Sequence, residues 1–240
     1  SDVCSSDLFE NKTFSALFKL VNIGVDSVNE SGESAALVSH ALGLINSLLR
    51  VQNSFINKLL PILRNKDTQQ QLHRGTAIGI GTSMSLALAT PRTIFDCIYY
   101  PKDLGTHGVA DFYEVILFHL PAVVQFALYV SCENTISNKA ISILKGVSQS
   151  KFFVTRVSSS ADPLLNNDRL ITTFENIDES IKIKFAFIDK FEELEDSLNM
   201  KYEILDFVLG NLNQFDGKVA TTAHFLLGYK VKGDTLEIGR

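Results

Sequence analysis

Side chains able to do chemistry are few in this chain, and they stand apart. The five histidines are His40, His73, His107, His119 and His224, and no two share an HxH or HxxxH spacing. A zinc site needs three or four donors converging on one ion, usually begun by a local pair. No such pair exists, so no metal ligand is assigned. His119 and His224 are read as hydrogen-bonded members of apolar helices. Cys4, Cys97 and Cys132 lie far apart and form no CxxC. That spacing argues against a disulfide framework and for a reducing compartment. Each is read as a small core residue.

The stretch GIGTS at 79–83 looks like part of a phosphate loop, but the following Lys-Ser/Thr is missing and no clear strand precedes it. Its small residues are read as allowing close helix approach or a bend. Glu192, Glu193, Glu195 and Asp196 crowd one helix end. Carboxylates packed this way, with no soft or basic companion, form a solvated face. Ser148, Ser150, Ser158, Ser159 and Ser160 lie in no GxSxG elbow. No catalytic residue, cofactor-binding residue or cofactor is therefore assigned, and the chain is read as a non-enzyme.

Composition points to packing. Hydrophobic residues make up 45% of the 240 and charged residues 20%, too apolar for a disordered tail and enough to bury a core. Phe (17) far outnumbers Tyr (6) and Trp is absent, so the aromatics read as core material. Twenty-two basic against 27 acidic residues give a net charge of −5, with no Lys/Arg cluster to track a phosphate backbone. Direct nucleic-acid binding is therefore not expected. Residues 111–130 are long enough to cross a membrane but carry Asp111, Glu114, His119, Pro121 and Gln125, so the chain is not read as membrane-spanning. There is no initiator Met, and residues 1–8 (SDVCSSDL) are Ser-rich and unlike the apolar stretches beyond them. They are read as a sequencing or expression scar, and residues 9–240 as one interior piece of a longer protein.

The elements that hold these groups are helices. Residues 111–120, 122–130 and 134–147 form three apolar blocks, the first interrupted by Pro121, which lacks a backbone donor. In the third, Ile136, Ala140, Ile143, Leu144 and Val147 fall at i, i+4, i+7, i+8 and i+11, one face of a helix. Upstream, Phe14, Leu17, Phe18, Val21 and Val25 mark one stripe, followed by a polar turn at 29–32. Residues 34–50 form a second helix, with Val38, Ala41, Leu42, Ile45, Leu48 and Leu49 on one side. Phe55, Ile56, Leu59, Leu60 and Leu63 mark a third, kinked at Pro61. Residues 75–90 are read as a helix, 93–99 as a short apolar segment, and 65–74 and 102–108 as loops.

Downstream, residues 158–167 are rich in Ser, Asp, Pro and Asn and read as a long polar loop. Asn176 followed by Glu179 predicts a capping box opening a helix to residue 194. Its core stripe is expected at Ile177, Ile181, Phe185, Ile188 and Phe191, with Lys182, Asp189, Lys190, Glu192 and Glu193 turned away. Ile181, Ile183, Phe185 and Phe187 also alternate as a strand would; the cap and the length favour helix. Residues 200–213 form another helix, with Leu205, Val208, Leu209 and Leu212 inward. Residues 218–227 form the last, ended by Gly228 in a left-handed cap, and 229–239 are loop or short strand. Ile143 and Leu205 are both expected in interhelical seams. Nine to eleven helices in neighbouring pairs indicate an all-α fold, an irregular helical-hairpin solenoid of HEAT/armadillo type. The same periodicity allows a compact all-α domain.

Two stretches are more specific than their composition. HGVADFYEVILFHLPAVVQFALYVSCENTISNKAISILKGVSQSKFF (107–153) resembles a segment of the large inner-ring scaffold nucleoporins of the nuclear pore complex. There an LPAVV-type helix ending ALYV precedes a polar turn and a helix of ALxILxxLSxSxxF type. KYEILDFVLGNLN (201–213) with AHFLLGYKVKGDTLEIG (223–239) resembles a second family segment, in which a leucine-rich helix leads to one ending LLGF; Tyr229 stands where Phe is usual. The likeness covers about residues 94–239, and its weight lies in order and spacing. The larger of the two related classes fits better than its paralogue.

The resemblance implies a structural scaffold component of the nuclear pore inner ring, at the nuclear envelope. It would support nucleocytoplasmic transport of protein and mRNA by holding linker and channel nucleoporins. Partner nucleoporins would bind grooves between helices, at positions the resemblance does not number. The alternative is a HEAT-repeat-like nuclear transport receptor or adaptor binding soluble cargo, whose sign would be regular repeats of about 40 residues. A third reading, an all-α enzyme or lipid-binding bundle, needs a pocket with converging titratable groups.

Overall fold

Apolar residues spaced three and four apart become helices through most of the computed structural model, which describes residues 11–54, 57–58, 112–149, 169–193, 198–214, 220–232 and 235–238. The helices expected near 55–63 and 75–90, the 93–99 segment and the loops at 65–74, 102–108 and 158–167 lie outside these residues, apart from Asn57 and Lys58. Two compact units make up the chain, Ser1–Asn46 with Ile116–Arg240, and Ser47–Val115.

In the first unit α1 (Asn11–Val21) buries Leu17, Phe18 and Val21. The stripe does not continue to Val25 in the same helix, because Gly24 turns the chain at φ +96°, a region that glycine enters without steric cost. Val25 instead opens α2 (Val25–Glu30). The polar turn expected at 29–32 shrinks to Ser31, whose hydroxyl accepts the Ser34 N–H at 3.3 Å and so caps α3 (Gly32–Ser54). Val38, Ala41, Leu42, Ile45 and Leu49 are buried on α3, with Leu48 half-buried. Among the described residues α3 alone is long and apolar enough to cross a membrane.

The break between the next two helices falls at His119 (φ −97°, ψ 66°), between α4 (Phe112–Phe118) and α5 (Leu120–Leu128). Pro121 lies inside the first turn of α5 rather than between helices. Its missing N–H there removes no intrahelical bond. A 3₁₀ turn (Tyr129–Ser131) leads to α6 (Asn134–Gln149), where Ile136, Ala140, Ile143, Leu144 and Val147 are all buried as their spacing demands. α6 packs against α5 and against α9 (Leu198–Gln214), while α8 (Ser180–Glu192) packs on α5, the 3₁₀ turn and α9. Between them in the chain lies α7 (Arg169–Glu175). Asn176 sits in a turn rather than at the helix start: α8 begins at Ser180, and its N-cap is Glu179, which makes no side-chain cap bond. The strand-like alternation at 181–187 yields to helix.

α10 (Thr222–Leu227) starts later than expected, at a capping box of Thr221 and His224, and ends on Gly228 at φ +76°. The tail resolves into a hairpin of β1 (Tyr229–Lys232) and β2 (Thr235–Ile238), antiparallel with Tyr229 opposite Ile238. In the second unit polar contacts join described residues of α3 and α4. The Phe112 N–H, an orphan donor at the start of α4, donates to Gln52 Oε1 at 2.7 Å, and Tyr113 and Asn53 exchange hydrogen bonds.

The core faces of α8 and α9 are not the expected ones. On α8, Ile183, Ala186 and Phe187 are buried, whereas Ile181 (65% exposed), Phe185, Ile188 and Phe191 face outward. On α9, Met200, Ile204, Phe207 and Asn211 are buried, whereas Leu205 (53% exposed), Leu209 and Leu212 are exposed and Val208 is half-buried. Phe187 and Phe207 stack with centroids 5.8 Å apart and join the two inner faces. Lys190, expected outside, is buried, and its ammonium pairs with Glu193 at 2.9 Å. A buried cation requires such a partner.

Candidate partner-binding faces

Among the described residues the reactive groups do not converge on a metal site. His40 is exposed and its Nδ1 lies 2.7 Å from the Ala36 carbonyl. His119 is not within a helix as expected but at the α4–α5 break, stacked on Phe18 with centroids 4.2 Å apart. The Thr221 N–H donates to His224 Nδ1 at 3.2 Å, which makes that ring part of a helix cap. Cys132 is buried, and burial pushes its thiol up to about 11; Lys190 nearby pulls the other way and Glu133 adds to the rise. The thiolate, which is the reactive form, is therefore scarce at neutral pH. Ser148 is buried and donates to the Lys145 carbonyl at 3.0 Å, and Glu192 and Glu193 are exposed at the end of α8. Among the described residues no group of three or more His, Cys, Asp or Glu is placed to hold a metal ion. His73, His107, Cys4, Cys97, the 79–83 stretch, Ser150, Ser158, Ser159, Ser160, Glu195 and Asp196 lie outside the described residues.

Polar groups in the first unit tie helices to helices. Tyr129, buried in the 3₁₀ turn, donates its hydroxyl hydrogen to the Val21 carbonyl and accepts the Gly24 N–H at 3.1 Å. One side chain thus satisfies two backbone groups where α1 gives way to α2. Burial pushes its phenol up to about 12, against a lowering by the Gly24 N–H and a smaller rise from Cys132. Lys139 of α6 donates to the Ser39 carbonyl at 3.0 Å and hydroxyl at 2.7 Å, and its own carbonyl accepts Asn46 Nδ2 at 2.9 Å. Gly43 leaves space beside that lysine: a Cβ there would stand 3.8 Å from Nζ. Lys145 pairs with Asp206 between α6 and α9. These contacts position helices; none presents an activated group.

What the arrangement does present is apolar surface. With 3.6 residues per turn, the outer sets of α8 and α9 lie roughly 150–180° from the inner sets, so both helices are apolar on two opposite sides. On α9 the outer residues Leu198, Tyr202, Leu205, Leu209 and Leu212 are spaced 4, 3, 4 and 3 apart, the repeat of a helix–helix seam. Lys201 Nζ sits 5.8 Å from the Phe191 ring, at the end of α8 nearest the start of α9. The expected stripes therefore mark this outer surface. The inner one was equally periodic: Met200, Ile204, Phe207 and Asn211 fall at i, i+4, i+7 and i+11. A helix apolar on two sides is the signal that would have revealed it.

Comparison with known proteins bears on what such a stack is for. A family model, Nup192, described as nuclear pore complex scaffold, nucleoporins 186/192/205, matches residues 4–240 and so takes in residues 4–8. No curated protein matches the chain. The family is a helical solenoid, in accord with the mostly helical described residues. It is a component of the nuclear pore complex at the nuclear envelope, which favours the scaffold over the transport receptor and fits a part in nucleocytoplasmic transport. A scaffold of this family interacts with other nucleoporins. The chain belongs to the Nup192 family of nuclear pore complex scaffold nucleoporins.

Proposed function

We propose that residues 9–240 act as one stretch of α-solenoid in the inner ring of the pore, without catalysis, holding linker and channel nucleoporins through grooves between helices. The observation that carries this reading is the two-sided character of α8 and α9. Their inner faces pack within the first unit. Their outer faces carry Ile181, Phe185 and Ile188 on α8, and the 4-3-4-3 row from Leu198 to Leu212 on α9. A row of that spacing takes a second amphipathic helix laid along it, knobs into holes. The occupant we assign is an amphipathic α-helix of another inner-ring nucleoporin, in keeping with the scaffold family.

The test uses the full-length chain carrying Leu205→Asp with Leu209→Asp. Its melting curve and the nucleoporins that co-purify with it are compared with wild type. The expected result is a transition that stays cooperative, with at least one inner-ring nucleoporin lost. An unchanged set of nucleoporins refutes the docking face. Loss of the cooperative transition also refutes it, by assigning the outer row to a neighbouring helix of the same chain.

A further inference from the structure

We draw no further inference here: the strongest candidate, the surface patch that Tyr229, Val231, Leu236 and Ile238 form on one face of the β1–β2 ribbon, is an exposed apolar face, and nothing in the structure shows what covers it.

Discussion

Ile204 and Leu205 are neighbours on α9, yet one is buried at 5% exposure and the other, about 100° round the helix, is 53% exposed. Placing an aspartate at each isolates burial from helix propensity, since both variants lose the same kind of residue from the same helix. At Ile204 the side chain gives up about 1.5–3 kcal/mol of burial. The new carboxyl must then be neutralised, which at pH 7 costs about 1.4 kcal/mol for each of the roughly 3 units between its ordinary pKa and the solution pH, so about 4 kcal/mol more. The total, on the order of 5–7 kcal/mol, rivals the whole stability of an ordinary domain, about 5–15 kcal/mol. At Leu205 the cost is the lower helix propensity of aspartate, about 0.5 kcal/mol, with about 1 kcal/mol for the part of the side chain that is covered. Thermal unfolding of the 240-residue chain followed by circular dichroism reads the difference. Leu205→Asp is expected to melt within a few degrees of wild type, and Ile204→Asp to lose its cooperative transition or to melt at least ~10 °C lower. Equal melting of the two variants would refute this, because burial on this helix would then not be one-sided.

Ile143, fully buried in α6, gives the same outcome as Ile204: Ile143→Asp removes cooperative unfolding, and a near-wild-type melt would show that this face meets no core. Tyr129 holds its proton more tightly when folded, with the phenol raised from 10.0 to about 12. The folded state therefore binds more protons than the unfolded state between those pH values, and stability present below pH 10 falls as pH rises through 12, by roughly 3 kcal/mol. In Tyr129→Phe this alkaline limb shrinks, while the freed Val21 carbonyl and Gly24 N–H cost about 1–3 kcal/mol at neutral pH. Denaturant midpoints from pH 7 to 12 check both, and an unchanged limb overturns the assignment. Gly228→Ala meets no atom within 4 Å but forces a left-handed conformation at φ +76°, so a loss of about 1–2 kcal/mol in urea unfolding is expected, from backbone strain alone.

Much of the fold is legible in the chain because helical periodicity is a local property. The row Ile136, Ala140, Ile143, Leu144 and Val147 has a single apolar side, so spacing alone identifies both the helix and its buried face. Gly228 ends α10 as expected, because an interior residue without Cβ after two leucines is a local signal too. Gly24 carries the same kind of signal but stands inside a stripe that runs on to Val25, and the stripe hides the break. Pro121 is legible as an interruption yet displaced by two residues, since a proline is tolerated in the first turn of the helix it opens. The candidate surface was legible as a set of residues and mistaken in direction.

The sequence by itself determined that α8 and α9 are helices, roughly where they begin and end, and that an ordered series of helix pairs makes the chain a member of a scaffold family. Only the tertiary structure decided which side of each helix faces in. Ile181, Phe185 and Ile188 on α8, and Leu205 and Leu209 on α9, are as apolar as the residues behind them. A one-dimensional pattern with two apolar sides has two solutions of similar burial energy. The choice comes from neighbours distant in the chain: α5, α6 and the Tyr129 turn, against which Ile183, Phe187, Ile204 and Phe207 are brought. Burial of Lys190 has the same origin, because turning α8 by half a revolution brings its lysine inward with the isoleucine and phenylalanine that share its side.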